Sequence, residues 1–388
     1  MKKVLLVQPS LQPPGGSRAV GVWIIEALKR EHEVSVLTWT PVKLAPINRY
    51  YGTSLRESEF TAYGVHPVVR WLMDRVPGPI GKLTSSLLWR ACKRIKDDYD
   101  VIITADNEAD LGRKGIQYIH FPRYYQPRPA DDLRWYHFSP ALLNVYYYLC
   151  RRISGFSFER MKQNLTLVNS DWTGTKVREC HGIEATTLYP PVPGIFPEVA
   201  WEDRESGFIA IGRIAPVKEL DKMIDTLATV RSQGWDIHLH IVGEPENRRY
   251  YERIRQRVHG NASWLFLEEN LSREALVELV SRHRYGIHGR TEEHFGIAVA
   301  ELMRGGCLVF IPRGGGQVEI VEGDERLLYA TAEEAAEKII QVMSDRDLQH
   351  VLRTHLASKK DLFSTEQFMR RFQELVRHFG ETQRHLLS

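Results

Sequence analysis

Two glutamates, Glu293 and Glu301, stand eight positions apart in the stretch from Gly289 to Arg313, GRTEEHFGIAVAELMRGGCLVFIPR. Ionised carboxylates accept hydrogen bonds from hydroxyls. The start of a helix between them would add unpaired N–H groups and a positive dipole end, which attract phosphate. The chemistry served is that of a ligand anionic at one point and rich in hydroxyls at others. A nucleotide sugar is such a ligand.

The surrounding pattern predicts the elements that must position these groups. Phe295, Ala298, Val299 and Leu302 recur at helical spacing, and Gly305-Gly306 stops the helix. Leu308 to Ile311 is a continuous apolar run, as expected for a parallel strand covered on both faces. The stretch therefore reads as a loop holding Glu292 and Glu293, a short helix carrying Glu301, and a buried strand.

The same alternation runs through the chain. Lys3–Gln8 reads as a strand, Pro9–Arg18 as a turn rich in proline and glycine, and Ala19–Lys29 as a helix, the opening unit of a doubly wound sheet. Neither a G-x-G-x-x-G nor a Walker A pattern is present, so Gly15-Gly16 is either a tight turn or a point of close ligand approach. Further strands are expected at 33–38, within 97–104, at 115–122 and from 165. His120 falls where a parallel strand ends, facing a ligand crevice or simply packing in the core. Ser170 or Asp171 is a candidate helix cap.

The proline-rich 186–197 segment reads as an interdomain linker, after which the pattern restarts. Strands are expected at 207–212, 236–243, 264–267, 285–289 and 308–311. Arg213–Lys218 is a short basic loop, followed by an apolar helical stripe of Leu220, Met223, Ile224, Leu227 and Val230. His238 and His240 alternate within a strand and read as packing residues. The tail from Thr365 to Leu387 is a basic amphipathic helix. An α/β chain of two domains results: 1–192 with the helix at 365–388, and 193–364.

With 388 residues the chain can fill two cores. Its 26% charged and 43% hydrophobic residues exclude disorder as the general state, and a net charge of +3 gives nucleic-acid binding no support. No apolar run reaches spanning length, and the N-terminus lacks the pattern of a signal peptide, so a cytoplasmic protein is expected. Cys92, Cys150, Cys180 and Cys307 are scattered and read as reduced thiols. The basic segment Lys82–Lys96 is either a helix on an anionic membrane surface or the solvated face of a packed one. D-x-D patterns at 98–100 and 345–347 fall at a junction and in a helical region, and the histidines show no metal-ligand spacing, so no metal is expected.

Several stretches resemble one family. The E-x7-E motif of Glu293 and Glu301, the Gly212-Arg213…Lys218 set and the later Gly315-Gly316 to Glu319 are similar to the retaining GT-B glycosyltransferases of family 4. More narrowly, residues 287–306, YIHFP at 118–122, VNSDWT at 168–173 and LYPPV at 188–192 resemble the α-1,2-mannosyltransferases of lipid-linked oligosaccharides and their prokaryotic relatives. Arg304 departs from the small residue more usual before the glycine.

This resemblance implies two Rossmann-like domains facing across a cleft, with donor on the C-terminal one and acceptor on the N-terminal one. Arg213 and Lys218 would contact the donor diphosphate, and Glu301 the ribose. Glu293 would hold hydroxyls of the transferred sugar from a solvated wall. His294, Phe295, Gly296 and Ile297 would frame the donor, with the amides near Gly296 meeting phosphate. His120 would approach the sugar from the opposite wall, completing a catalytic set with Arg213, Lys218 and Glu293. Gly15 and Gly16 would bind donor where they line the cleft near the reacting centre. The implied activity moves a hexose, mannose from GDP-mannose foremost, onto a glycan or lipid-linked saccharide without a metal cofactor, at the inner membrane face. Alternatives are a UDP-sugar donor, a sugar-nucleotide epimerase, and a non-catalytic nucleotide-sugar-binding protein.

Overall fold

The computed structural model describes residues 1–65, 67–73, 75, 81–125 and 139–385. The tail's Leu387 lies outside them. The chain divides into two compact units, Met1–Pro191 with Thr365–Ser388, and Val192–Ser364.

Unit 1 runs β1 (Lys3–Val7), α1 (Gly16–Leu28), β2 (Glu33–Thr38), α2 (Leu44–Tyr51), β3 (Thr61–Gly64), α3 (Pro67–Met73), α4 (Gly81–Ile95), β4 (Val101–Thr104), β5 (Ile116–Ile119), α5 (Pro140–Ser154), α6 (Phe158–Lys162), β6 (Leu165–Val168), α7 (Asp171–His181) and β7 (Thr186–Thr187). Its strands pair in parallel in the order β3-β2-β1-β4-β5-β6-β7. The near-continuous apolar runs of β1 and β4 follow from burial on both faces of a parallel sheet. Ser170 caps α7 by accepting from the Thr173 amide.

Unit 2 runs β8 (Glu205–Ile211), α8 (Leu220–Ser232), β9 (His238–Val242), α9 (Arg248–Gly260), β10 (Leu265–Glu268), α10 (Arg273–Arg282), β11 (His283–Ile287), α11 (Ile297–Arg304), β12 (Leu308–Pro312), β13 (Leu328–Tyr329), α12 (Ala332–Ser344) and α13 (Arg346–Ala357). Its parallel sheet has the order β10-β9-β8-β11-β12-β13. Both sheets are doubly wound. α14 (Thr365–His385) then returns to unit 1, where Phe368, Phe372, Val376 and Phe379 join the core beside α1.

One expectation changes, and one pair of open alternatives narrows. His238 and His240 do not fill a core: both are half-buried, and their rings turn toward His283. α4 buries Leu88, Trp89 and Cys92 in unit 1, so its basic residues belong to a packed helix. The four cysteines are free thiols. Among the described residues, no helix is long and apolar enough to cross a membrane.

Candidate functional site

The sheet of unit 2 reverses its winding between neighbouring β8 and β11. Such a reversal opens a crevice beyond the carboxyl ends of the strands, where ligands of this architecture bind. The loop after β8 carries Gly212, Arg213 and a 3₁₀ turn over Pro216–Lys218. The loop after β11 carries residues 288–296 and leads into α11. Strand order alone thus brings the two predicted segments side by side.

At their meeting point Lys218 Nζ lies 2.5 Å from Glu293 Oε2, and the two side chains are only 12% and 16% exposed. The expected solvated wall is therefore a largely enclosed ion pair. His288 Nε2 approaches the same oxygen at 3.3 Å, and Arg290 Nη1 lies 3.7 Å from Oε1. Burial works to raise the Glu293 carboxyl, but Lys218, His288 and Arg290 outweigh it and hold it well below its ordinary range. His288 is held below its ordinary value, chiefly by burial. Glu293 is consequently a fixed anion near neutral pH, an acceptor for hydroxyls and not a proton donor.

The backbone closes tightly around this pair. Gly316 N donates to Glu293 O at 2.8 Å, and Gln317 Nε2 donates to Arg290 O at 2.7 Å. A Cβ at Gly289 would lie 2.7 Å from Lys218 O, so no larger residue fits there without displacement. Gly296 caps α11 at φ +98°, a left-handed conformation that glycine adopts without steric cost. The amides of Gly296 and Ile297 thereby open the first turn of α11, and Phe295 anchors it against Phe363 with ring centroids 5.7 Å apart. His294 is half-buried beside them.

Two expected donor contacts have protein partners. Arg213, about half exposed, pairs with Glu246. Glu301 is buried on α11 and pairs with Arg273, which also donates to Pro193 O. In unit 1, His120 follows β5 directly; its Nε2 bonds Ala105 O at 3.0 Å, so that nitrogen carries the proton, while its amide donates to Asn107 Oδ1 at 2.7 Å. Gly15 caps α1 at φ +148°, in a region open essentially to glycine alone, and Gly16 begins the helix. Arg18 holds this turn through Gln12 O and Pro14 O at 2.8 and 3.0 Å.

Both D-x-D patterns have structural duties. Asp100 Oδ2 accepts from Lys3 N at 2.7 Å, and Asp345 caps α13 by accepting from Leu348 N at 2.9 Å. The residues that sequence reading passed over are His288, Arg290 and Gln317. The first two stand at the end of an apolar strand run immediately before Glu293, which was the available signal. Gln317 follows three glycines but gives no sign of its carbonyl partners.

Residues 193–357 match the family model of glycosyl transferases, group 1. The chain is 26% identical over 237 residues to the GDP-Man:Man(3)GlcNAc(2)-PP-Dol alpha-1,2-mannosyltransferase of Dictyostelium discoideum, a match covering 55% of this chain and 47% of that one. The Homo sapiens protein of the same name is 25% identical over 253 residues, covering 58% and 50%. The chain spans about half the length of these relatives. Among solved structures, Anabaena Alr3699/HepE in complex with UDP and glucose superposes with a TM-score of 0.67 at 17% identity, covering 97% of this chain and all of that one (100%). Sucrose-phosphate synthase of Thermosynechococcus elongatus gives 0.69 at 16% identity, covering 98% and 100%. These likenesses establish the two-domain GT-B fold.

Proposed function

We propose that this chain, whose residues 193–357 form a glycosyl transferases group 1 domain, is a retaining hexosyltransferase that moves mannose from GDP-mannose onto a glycan or lipid-linked saccharide. The observation that carries this reading is the enclosed Lys218–Glu293 pair at the winding reversal of unit 2, beside the first turn of α11. The mannosyl donor is favoured by the relatives named for that activity.

Breaking the bond between the anomeric carbon and phosphate leaves negative charge on the departing diphosphate. Lys218 turns to that phosphate, Arg213 leaves Glu246 to join it, and the α11 amides add their dipoles. Each fixed donor of this kind supplies roughly 2.7–4 kcal/mol to a transition state. Glu293, held ionised, accepts from the sugar hydroxyls, and Glu301 from the ribose. No metal is required for this distribution of charge. The acceptor hydroxyl attacks on the face the phosphate leaves, and the departing phosphate oxygen takes its proton. His120 acts at the transferred sugar, and Gly15 and Gly16 serve the donor near the reacting centre. On α5, Leu142, Val145, Tyr148 and Leu149 are more than half exposed just before Arg151 and Arg152, which suits a lipid-linked acceptor at a membrane surface.

A UDP-sugar is the second reading, because solved proteins of this fold include HepE in complex with UDP-glucose. Purified protein incubated with GDP-mannose, UDP-glucose and UDP-N-acetylglucosamine, with released nucleotide followed by chromatography, separates the two. GDP release from GDP-mannose alone is the expected result. UDP release keeps the fold and discards the mannosyl reading, and interconversion of the sugar without acceptor revives the epimerase.

A further inference from the structure

The amino end of the same sheet carries a second group of side chains. β9 places His238 and His240 two residues apart, so both project from one face. β11 begins with His283 on the other side of β8. Between them β8 has Gly207, in register with His238, and a side chain there would run into the His238 and His283 rings. That gap lets His238 Nε2 come within 3.0 Å of His283 Nε2. All three histidines place one ring nitrogen within 4.8 Å of the others.

Glu205, at the start of β8, adds an oxygen. Its Oε2 lies 3.4 Å from His238 Nε2 and 3.8 Å from His283 Nε2. A triangle with sides of 3.0, 3.4 and 3.8 Å has its centre about 2.0 Å from every corner, and an ion raised roughly 0.7 Å out of that plane toward a fourth ligand lies about 2.1 Å from each, the length of a Zn–N or Zn–O bond. The register between β8 and β11 shifts between the Glu205–His283 and Phe208–Tyr285 pairs, an irregularity of the kind that re-aims side chains.

The outer contacts are those of metal ligands. His283 Nδ1 donates to Leu279 O at 2.7 Å, leaving the Nε2 lone pair directed inward. His240 gives Nδ1 to Glu268 Oε1 at 2.9 Å, which leaves Nε2 as the nitrogen available to a metal. Arg282 holds the second oxygen of Glu205 at 2.7 Å. His240 and Glu268 are only partly buried, so an ion has a route in from solvent.

We propose that His238, His240, His283 and Glu205 form a binding site for Zn²⁺ or a similar borderline divalent cation, separate from the donor site. Three imidazoles and one carboxylate complete a tetrahedral shell with no open position, which makes the site structural. The ion would tie β9, β8 and β11 together at the end of the sheet opposite the loops that carry Lys218 and Glu293.

The test uses the untagged full chain, stripped with chelator and titrated with Co²⁺ and Zn²⁺. One equivalent of Co²⁺ should give the intense visible absorption of a tetrahedral centre. Zn²⁺ should displace it and raise the melting temperature. His240→Gln should weaken binding by more than 100-fold. Glu268→Gln, which removes only an outer contact of a partly exposed residue, should weaken it on the order of 10–100-fold. Circular dichroism confirms that both variants fold. An octahedral, aquo-like Co²⁺ spectrum, or affinity unchanged in both variants, would overturn the site and leave a hydrogen-bonded histidine pair.

Discussion

The two ends of the six-stranded sheet are built on opposite plans. At the carboxyl ends of β8 and β11, charge comes from loops: Lys218 and Glu293 meet because strand order brings their segments together. At the amino ends, the chemistry sits inside the strands, where register sets His238 and His283 on either side of a glycine. Loop-borne groups can exchange partners when a ligand arrives. Strand-borne groups are fixed by the sheet, which suits a permanent centre. The difference teaches where to look for turnover and where for stability in one sheet.

The sharpest way to break this division is to remove a loop charge. Lys218→Ala or Glu293→Ala should lower transfer by about 10²–10³-fold in kcat, with far-UV circular dichroism unchanged. In Lys218→Ala the carboxylate keeps His288 and Arg290 as neighbours, so the protein should still fold. Near-normal turnover in either variant would move the active site elsewhere.

A finer cut separates the two glutamates of the motif. Glu301→Gln should raise the KM for donor about tenfold while leaving kcat nearly unchanged, because a ribose contact is the same in ground and transition states. A large fall in kcat instead would make Glu301 part of the reacting centre.

The motif and its elements were legible because their signals are local. The helix stripe of α11, the apolar run of β12 and the Ser170 cap each lie within one short window of sequence. The two loops that carry Lys218 and Glu293 were legible through the resemblance, since each is a contiguous stretch, but the enclosed ion pair between them was not. The partners that Arg213 and Glu301 actually take, Glu246 and Arg273, are set by tertiary packing across 33 and 28 residues. The histidine cluster was misread for the same reason. An H-x-H in a strand reveals a shared face, but nothing local reveals that His283, 45 residues on, is two strands away across Gly207.

Acid and base responses extend the comparison to unit 1. Glu293 is held well below its ordinary value, so its contribution to stability is present above the unfolded value near 4.5 and is lost only as pH falls through the depressed one. His288, held below its ordinary value by burial, adds stability as pH rises toward 6.5, so the carboxyl end should be silent only from about pH 7.5 to 9. In unit 1, His181 Nε2 lies 2.9 Å from buried Glu108. Burial works to lower His181, but hydrogen bonds with Cys180 and Glu108 carry it up to about 9. Its contribution, roughly 1–3 kcal/mol, is complete below pH 6.5 and is lost as pH rises through 9.

Lys82 acts in the opposite sense. Burial, helped by Arg123, lowers it to about 7, in a cage of Trp89, Tyr124, Tyr147 and Phe156. The unfolded lysine holds its proton to a higher pH, so this group adds stability as pH rises above 7. The two slopes nearly cancel in the intact protein. His181→Asn should melt at rising temperature from pH 7 to 9, and Lys82→Met at falling temperature. Parallel curves for both variants would contradict these assignments.

The smallest expected change is in rate on adding chelator. Transfer should persist, while the melting temperature falls by a few degrees as the amino-end cation is withdrawn. Strict dependence of turnover on a divalent ion would join the two ends that the structure separates.

Amide hydrogen exchange of the full chain with and without GDP-mannose tests the central claim most directly, with UDP-glucose run in parallel. GDP-mannose should slow exchange in residues 212–219 and 289–300 and leave 236–240 and 283–286 unchanged. Protection with UDP-glucose alone would keep the site and change the donor. Protection in neither loop with either nucleotide sugar would contradict a donor site at the carboxyl end of this sheet.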